Sequence, residues 1–308
     1  MMGLFCRRLT LSRLLAVLMM SCALAMLLSF RSLSSSNKRR GKRSLEFPPI
    51  QTVYRWIQGY NQSNHQVLPN NSVLNAMTWP ELAHVYHRYV ENIQVICHTM
   101  VRLGNLKDGG WETCTDPAYR PREPCIIYSF GINDDFTFDD DVSKFYGCHV
   151  HSFDPSTTMH DHKRSNNITF HATGVADFDG TWRTWRMLTL RSIAEELGHE
   201  MSEVSMVKLD VEEWEWTVLP QALSSHALDE VSQLLLELHI TIKPQPKRER
   251  YLQALLTLAQ LYRAGFRIFY TRRNLQCSFR QIFDGSQKTG CHEVHMVKSG
   301  QHAKVSTE

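Results

Sequence analysis

The sequence predicts an α/β protein: a mostly parallel sheet of seven strands, covered by helices and preceded by an N-terminal helical extension. Three observations carry this. From Cys125 onward, short apolar runs alternate with helical stretches, the pattern of strands joined by crossover helices. Several runs are apolar without interruption, as strands buried on both faces require. The last two runs have no helix between them and are expected to form an antiparallel hairpin.

The elements follow in chain order. Leu14 to Phe30 is an uncharged, largely apolar run of 17 residues between Arg13 and Arg31, at the short end of what spans a membrane. It fits a signal anchor, or a signal peptide cut near Ala23-Leu24-Ala25, although Met26-Leu27-Leu28 continues beyond that site. More basic residues follow the run than precede it, which argues against a lumenal body. Residues 1–31 are thus a signal anchor or signal peptide and 32–77 a linker or stem, Ser-rich and basic at first. Arg40-Gly41-Lys42-Arg43 within it reads as a juxtamembrane charge cluster or a dibasic processing site. Residues 78–298 form the folded domain. Thr78 and Glu81 make a capping box, with Pro80 in the first turn. Leu82, Val85, Tyr86, Tyr89, Ile93, Ile96, Met100 and Leu103 then recur at helical steps as far as Gly104, which predicts one long helix. The strands are Cys125–Phe130, His149–Phe153, Ile168–Ala172, Val204–Leu209, Leu234–His239, Phe266–Tyr270 and Glu293–Lys298. Helices are expected near 138–146, at Ser192–Leu197 and at Arg248–Arg263.

Charge narrows the function. The 308 residues carry 34 basic and 31 acidic side chains, but nine of the basic ones and no acidic one fall in residues 1–43. The body therefore has a net charge of −6, which would repel a phosphate backbone, so no nucleic-acid partner is expected. Asn61, Asn70 and Asn167 begin glycosylation acceptor tripeptides. Six cysteines beyond the tail (Cys97, Cys114, Cys125, Cys148, Cys277 and Cys291) suit disulfides in an oxidising compartment, or buried thiols in a reducing one. Together these favour the secretory pathway: a Golgi or ER membrane protein if anchored, a secreted one if the segment is cleaved. In a lumenal body, Cys277 and Cys291 are expected to pair.

The turn after the first strand should meet a cofactor. A dinucleotide fold wants G-x-G-x-x-G there, whereas this chain has Gly131-Ile132-Asn133-Asp134-Asp135. Five aspartates between 134 and 141 would repel a diphosphate but not a cofactor bearing ammonium and sulfonium charges. S-adenosylmethionine is such a molecule. Asp154 ends the second strand 23 residues after Gly131, near the spacing of about 20 at which an acid binds ribose hydroxyls; an Asp-Pro turn is the plainer alternative.

Y-S-F-G-I-N-D-D, H-S-F-D-P-S, V-K-L-D-V-E-E-W-E-W-T-V-L and N-L-K-D-G-G-W-E-T-C resemble the S-adenosylmethionine-dependent methyltransferases of the FkbM-like group, over about residues 80–298. The resemblance implies the Rossmann-like sheet of class I methyltransferases, with Gly131 as the first glycine, Asn133 as its asparagine and Asp154 as the ribose-binding acid. Asp210, Glu212 and Glu215 match D-x-E-G-x-E. The chain departs from the pattern at Ser129, Asp135 and Glu213. The cofactor-binding set expected is Ser129, Phe130, Gly131, Asn133, Phe153, Asp154, Pro155, Gly174, Val175 and Asp210.

Methyl transfer is an in-line displacement, and a hydroxyl acceptor also needs its proton removed. Strand alternation puts Glu237 and His239 on one side of the fifth strand. His239, with an ordinary pKa near 6.5, is the expected base, Asp210 and Glu212 orienting it or the acceptor, and Glu237 is next in line. A structural histidine capping the strand is the plainer reading. No metal is expected, because no H-x-x-H or similar spacing joins Asp210, Glu212 and His239. Trp182, Trp185, Trp214 and Trp216 could wall a pocket for a small-molecule or glycan acceptor, with core packing the competing role. Two other classes share this outline: a non-catalytic binding protein, and a Golgi glycosyltransferase using Asp139-Asp140-Asp141 as its D-x-D.

Overall fold

The computed structural model describes residues 67–241 and 246–300. The apolar run Leu14–Phe30, most of the stem and the Asn61 tripeptide lie outside them. No helix among the described residues is long and apolar enough to cross a membrane.

Folded structure begins inside the segment expected to be stem. Helix α1 (Asn71–Ala76) is capped by the Asn70 side chain, which accepts the Val73 N–H at 3.0 Å, and buries Leu74 in the core. The capping box starts α2 (Trp79–Val90). That helix stops at Val90, so the expected helix to Gly104 is corrected. Beyond Val90 the chain turns onto the sheet, where the Gln94 and Val95 N–H groups both donate to Ile268 O. Met100 and Leu103 instead belong to β1 (Met100–Gly104), paired antiparallel with β2 (Gly110–Cys114) and held by the Cys97–Cys114 disulfide.

Then come β3 (Ile126–Phe130), α3 (Thr137–Tyr146), β4 (His149–Phe153), β5 (His162–Lys163), β6 (Ile168–His171), β7 (Thr173–Val175), β8 (Gly180–Trp182) and β9 (Trp185–Leu188). After these follow α4 (Leu190–Leu197), β10 (Val204–Leu209), α5 (Glu215–Ser224), β11 (Gln233–His239), α6 (Arg248–Arg263), β12 (Phe266–Arg280) and β13 (Gln287–Lys298). The main sheet runs β12-β13-β11-β10-β3-β4-β6-β5: the seven expected strands plus the two-residue β5 at one edge. Strands β6, β4, β3, β10 and β11 are mutually parallel, and β13 is antiparallel to both neighbours. The β12–β13 hairpin extends well beyond the expected strands and carries the Cys277–Cys291 disulfide. Cys125–Cys148 ties the start of β3 to that of β4.

Both faces of the sheet are covered, which explains the uninterrupted apolar runs. On β11, Leu234 and Leu236 join the core under α2, α5 and α6, while Leu235 faces Phe138 and Val142 of α3. From β3 the order runs outward through β4 and β6, then returns through β10 and β11. That reversal opens a crevice at the carboxyl ends of β3 and β10, where ligands bind in such sheets.

Candidate active site

Gly131 turns the chain out of β3 at φ +74. A Cβ there would lie 1.7 Å from the Asp210 carbonyl oxygen, so only glycine lets the β3 and β10 ends approach this closely. Lys208 Nζ donates to the Phe130 and Gly131 carbonyls at 3.1 and 3.0 Å and ties off the same turn. Asn133 and Asp134 follow with positive φ, which their short side chains tolerate. The Asn133 N–H donates to Asp154 Oδ2 at 2.9 Å, and Ser156 donates to Oδ1 through N–H and hydroxyl at 2.8 and 2.6 Å. The acid at the end of β4 is thus held in a fixed orientation at the lip of the crevice.

A cavity of about 130 Å³ opens there. Of the expected cofactor residues, Phe130, Gly131, Phe153, Asp154, Pro155, Gly174, Val175 and Asp210 line it. Asn133 lines a larger neighbouring cavity of about 580 Å³. Ser129 is a correction: its side chain is fully buried and reaches neither cavity. Sequence reasoning missed Ser156, Met187 and Val211, which complete the lining, and placed Trp185 and Trp214 only as acceptor-side candidates. The strand β9 that carries Trp185 and Met187 was not anticipated.

The lining suits S-adenosylmethionine chemically. Apolar and aromatic walls meet three carboxylates, and no basic side chain lines the smaller cavity, so a phosphate has no partner while an ammonium or sulfonium does. Gly174 leaves a cradle that a Cβ would close, 2.6 Å from Met187 Sδ and 2.9 Å from Pro155 Cγ.

On the far side the structure brings Asp210, Glu212, Glu215, Glu237 and His239 together. A tight turn with positive φ at Glu212 and Glu213 folds the chain back after β10. Glu213, at φ +77, occupies the position of the motif's glycine and pairs with Arg250 at 3.0 Å. His239 Nδ1 donates to Glu215 Oε1 at 2.9 Å. Its Nε2 lies 3.6 Å from Glu212, 3.9 Å from Asp210 and 3.9 Å from Glu237. Asn274 donates to Glu237 at 2.9 Å. Burial alone would lower the His239 pKa, but the Glu215 hydrogen bond and the charges of Glu215, Asp210 and Glu237 push it up to about 10. The imidazole therefore holds a proton at neutral pH, and the base role expected from an ordinary pKa does not fit these surroundings. Burial and the Asp210 charge push Glu237 up to about 7, and burial raises Glu212.

The tryptophans divide. Trp216 is core, its Nε1 donating to the His239 carbonyl at 2.7 Å. Trp182 packs 5.2 Å from Trp185 and 5.5 Å from Trp214, and the latter two wall the smaller cavity. The aspartate triplet is committed to structure. Asp139 is buried and accepts from Ser152, Asp140 pairs with Arg164, and Asp141 accepts the Gly104 N–H. It offers no D-x-D site.

A solved 16S rRNA (adenine(1408)-N(1))-methyltransferase from Catenulisporales acidiphilia is 14% identical and covers 64% of this chain and 97% of its own, with a TM-score of 0.32, too low to carry an argument. "Probable methyltransferase-like protein 24" of Homo sapiens is 25% identical over 255 residues, which is 73% of this chain and 67% of that protein. Its Rattus norvegicus counterpart is 27% identical over 249 residues, 71% and 66% of the two chains. The match thus spans about two thirds of each relative. The family model described as a methyltransferase domain matches residues 52–282, three quarters of the sequence and every residue that lines the smaller cavity. With that match over a sheet of the expected strand order, the chain belongs to the methyltransferase domain family.

Proposed function

We propose that this methyltransferase uses S-adenosylmethionine and transfers its methyl group to a hydroxyl of a small-molecule or glycan acceptor in the secretory pathway. One observation carries the donor assignment: Gly131, Asp154 and Asp210, from three strand ends, line one cavity that has carboxylates and no cation. Asp154 would hold the ribose hydroxyls, Gly174 and Val175 the flat base, and the Asp210 side the sulfonium. The cofactor supplies an electrophilic methyl group. The acceptor reading rests on the neighbouring 580 Å³ cavity, where Asp210, Glu212, Glu237 and His239 gather at one wall. Its carboxylates are placed to take a hydroxyl proton. Three disulfides and the acceptor tripeptides support an oxidising compartment.

Calorimetry with S-adenosylmethionine and with a nucleotide sugar tests this. The first should bind and the second should not, and Asp154→Ala should weaken binding by about 1.5–3 kcal/mol. Unchanged affinity in the folded variant would remove the ribose assignment.

A further inference from the structure

We propose that Asp210, Glu212, Glu237 and His239 form a binding site for one divalent cation on the wall between the two cavities. The inference deepens the function proposed above and rests on that reading only for the ion's role.

Ligand chemistry comes first. Ligand atoms of Asp210, Glu212 and His239 all lie within 4.8 Å of one another, and Glu237 reaches within 3.9 Å of the same imidazole nitrogen. Ligands held about 2.1 Å from an ion stand about 3.0–3.4 Å apart, so the 3.6–3.9 Å separations from Nε2 to the three carboxylates need a small contraction. The Asp210 and Glu212 oxygens, within 4.8 Å of each other, would close by up to about 1.5 Å. One imidazole with carboxylates suits a cation such as Mn²⁺, Zn²⁺ or Mg²⁺ rather than a thiolate-seeking one.

The support behind these groups points the same way. Glu215 has no exposed surface and fixes Nδ1 of His239 as a donor, so Nε2 is the nitrogen turned to the carboxylates. A carboxylate behind the far nitrogen is the usual means of orienting a metal-binding histidine. Oε2 of Glu215 is buried without a hydrogen-bond partner, and Asn274 fixes Glu237 from its other oxygen. An ion would take the place of the proton on Nε2.

The decisive contrast is with similar groups elsewhere among the described residues. In the His87, Glu91 and His292 group, Glu91 is paired with Arg273. In the Glu112, Glu293 and His295 group, Arg102 pairs with Glu112 and Arg272 with Glu293. Cys97 and Cys114, grouped with Asp116, are consumed by a disulfide. No Lys or Arg lines the 130 or the 580 Å³ cavity; Lys208 lines a third cavity beside Asp210, with its Nζ donating to the Phe130 and Gly131 carbonyls. Among these groups of the described residues, Asp210, Glu212 and Glu237 are the carboxylates whose ion pairs run to the imidazole and not to a Lys or Arg. An ion held there would draw an acceptor oxygen into its shell and lower that hydroxyl's proton affinity, beside Asp210 and Glu212, which line both cavities.

The test is Mn²⁺ titration of the chelator-stripped, disulfide-intact protein, followed by loss of the free-ion electron paramagnetic resonance signal. One Mn²⁺ per chain should bind with a micromolar Kd, displaced by Zn²⁺ or Mg²⁺. Asp210→Asn and His239→Gln should weaken it about 10–100-fold. Glu212→Gln, on an exposed side chain that the fold does not need, should weaken it too, while Glu91→Gln should leave it unchanged. No saturable binding of any of the three ions below about 1 mM, or parent-like binding by Glu212→Gln and Asp210→Asn, overturns the site. Calorimetry on the same sample separates the two proposals. Donor binding with no Mn²⁺ site sinks only the cation, whereas Mn²⁺ binding with no donor affinity upholds the cation site and sinks the cofactor assignment.

Discussion

His239 Nδ1 and Glu215 Oε1 lie 2.9 Å apart, joining the end of β11 to the first turn of α5. Glu215 is fully buried, and the same oxygen also accepts the Val211 N–H at 3.1 Å. One carboxylate therefore sets the imidazole's orientation and closes the turn that carries Glu212. Removing it leaves a buried donor and a loose turn together. Glu215→Ala should cost about 3 kcal/mol, the lower end for breaking a buried pair, because neighbouring carboxylates still face the ring. Urea unfolding measures this, and a loss below about 1 kcal/mol would show that the pair is not structural.

Acid should destabilise the fold through buried histidines that line neither cavity. Burial, with weaker charge effects, holds His87, His151 and His295 down to about 3. In the unfolded chain each titrates near 6.5. Between pH about 6.5 and about 3 the unfolded chain binds more protons, so stability is full above 6.5 and falls as pH drops through that window. Each such histidine contributes about 1 kcal/mol of loss between pH 7.5 and 5.5. The melting temperature should fall over that range, and less steeply in His295→Gln. Parallel slopes in parent and variant would remove His295 from the account.

The sheet was legible because its strands are buried on both faces, so Cys125–Phe130 and Leu234–His239 read as apolar runs whatever packs on them. The stripe from Leu82 to Leu103 misled because its spacing continues past the real helix end. What stops α2 is the docking of Gln94 and Val95 on β12, a contact with residues far along the chain. Gly131, Asp154 and Asp210 could be placed because strand ends set their spacing. Asp210, Glu212, Glu237 and His239 could be grouped although Asp210 and Glu237 are 27 residues apart, because both strands end at the same edge of the sheet. The burial of Glu215, which reads as a solvated first turn, changes the character of the whole group.

Of the three disulfides, Cys277–Cys291 was the pair that hairpin geometry suggested, and its two cysteines line the larger cavity. Non-reducing peptide mapping of the protein should recover it together with Cys97–Cys114 and Cys125–Cys148. Replacing both Cys277 and Cys291 by Ser should cost about 3 kcal/mol by loop-closure entropy. Free thiols at both positions would count against the pairing and against an oxidising compartment.

Gly131 and Gly198 separate backbone strain from close approach. Both have positive φ, +74 and +70. A Cβ on Gly198, at the end of α4, meets nothing within 4 Å, so Gly198→Ala should cost about 1 kcal/mol, the strain of the left-handed conformation alone. A Cβ on Gly131 collides with the Asp210 backbone, and neither strand end can yield without dragging the sheet behind it. Gly131→Ala should therefore add overpacking to strain and cost at least about 3 kcal/mol. It should also part the ends of β3 and β10, so any folded fraction should lose donor affinity while Gly198→Ala keeps it. Thermal unfolding and donor calorimetry on the two variants provide the comparison. Equal losses in both would mean that the β3–β10 approach is not what requires glycine at this turn.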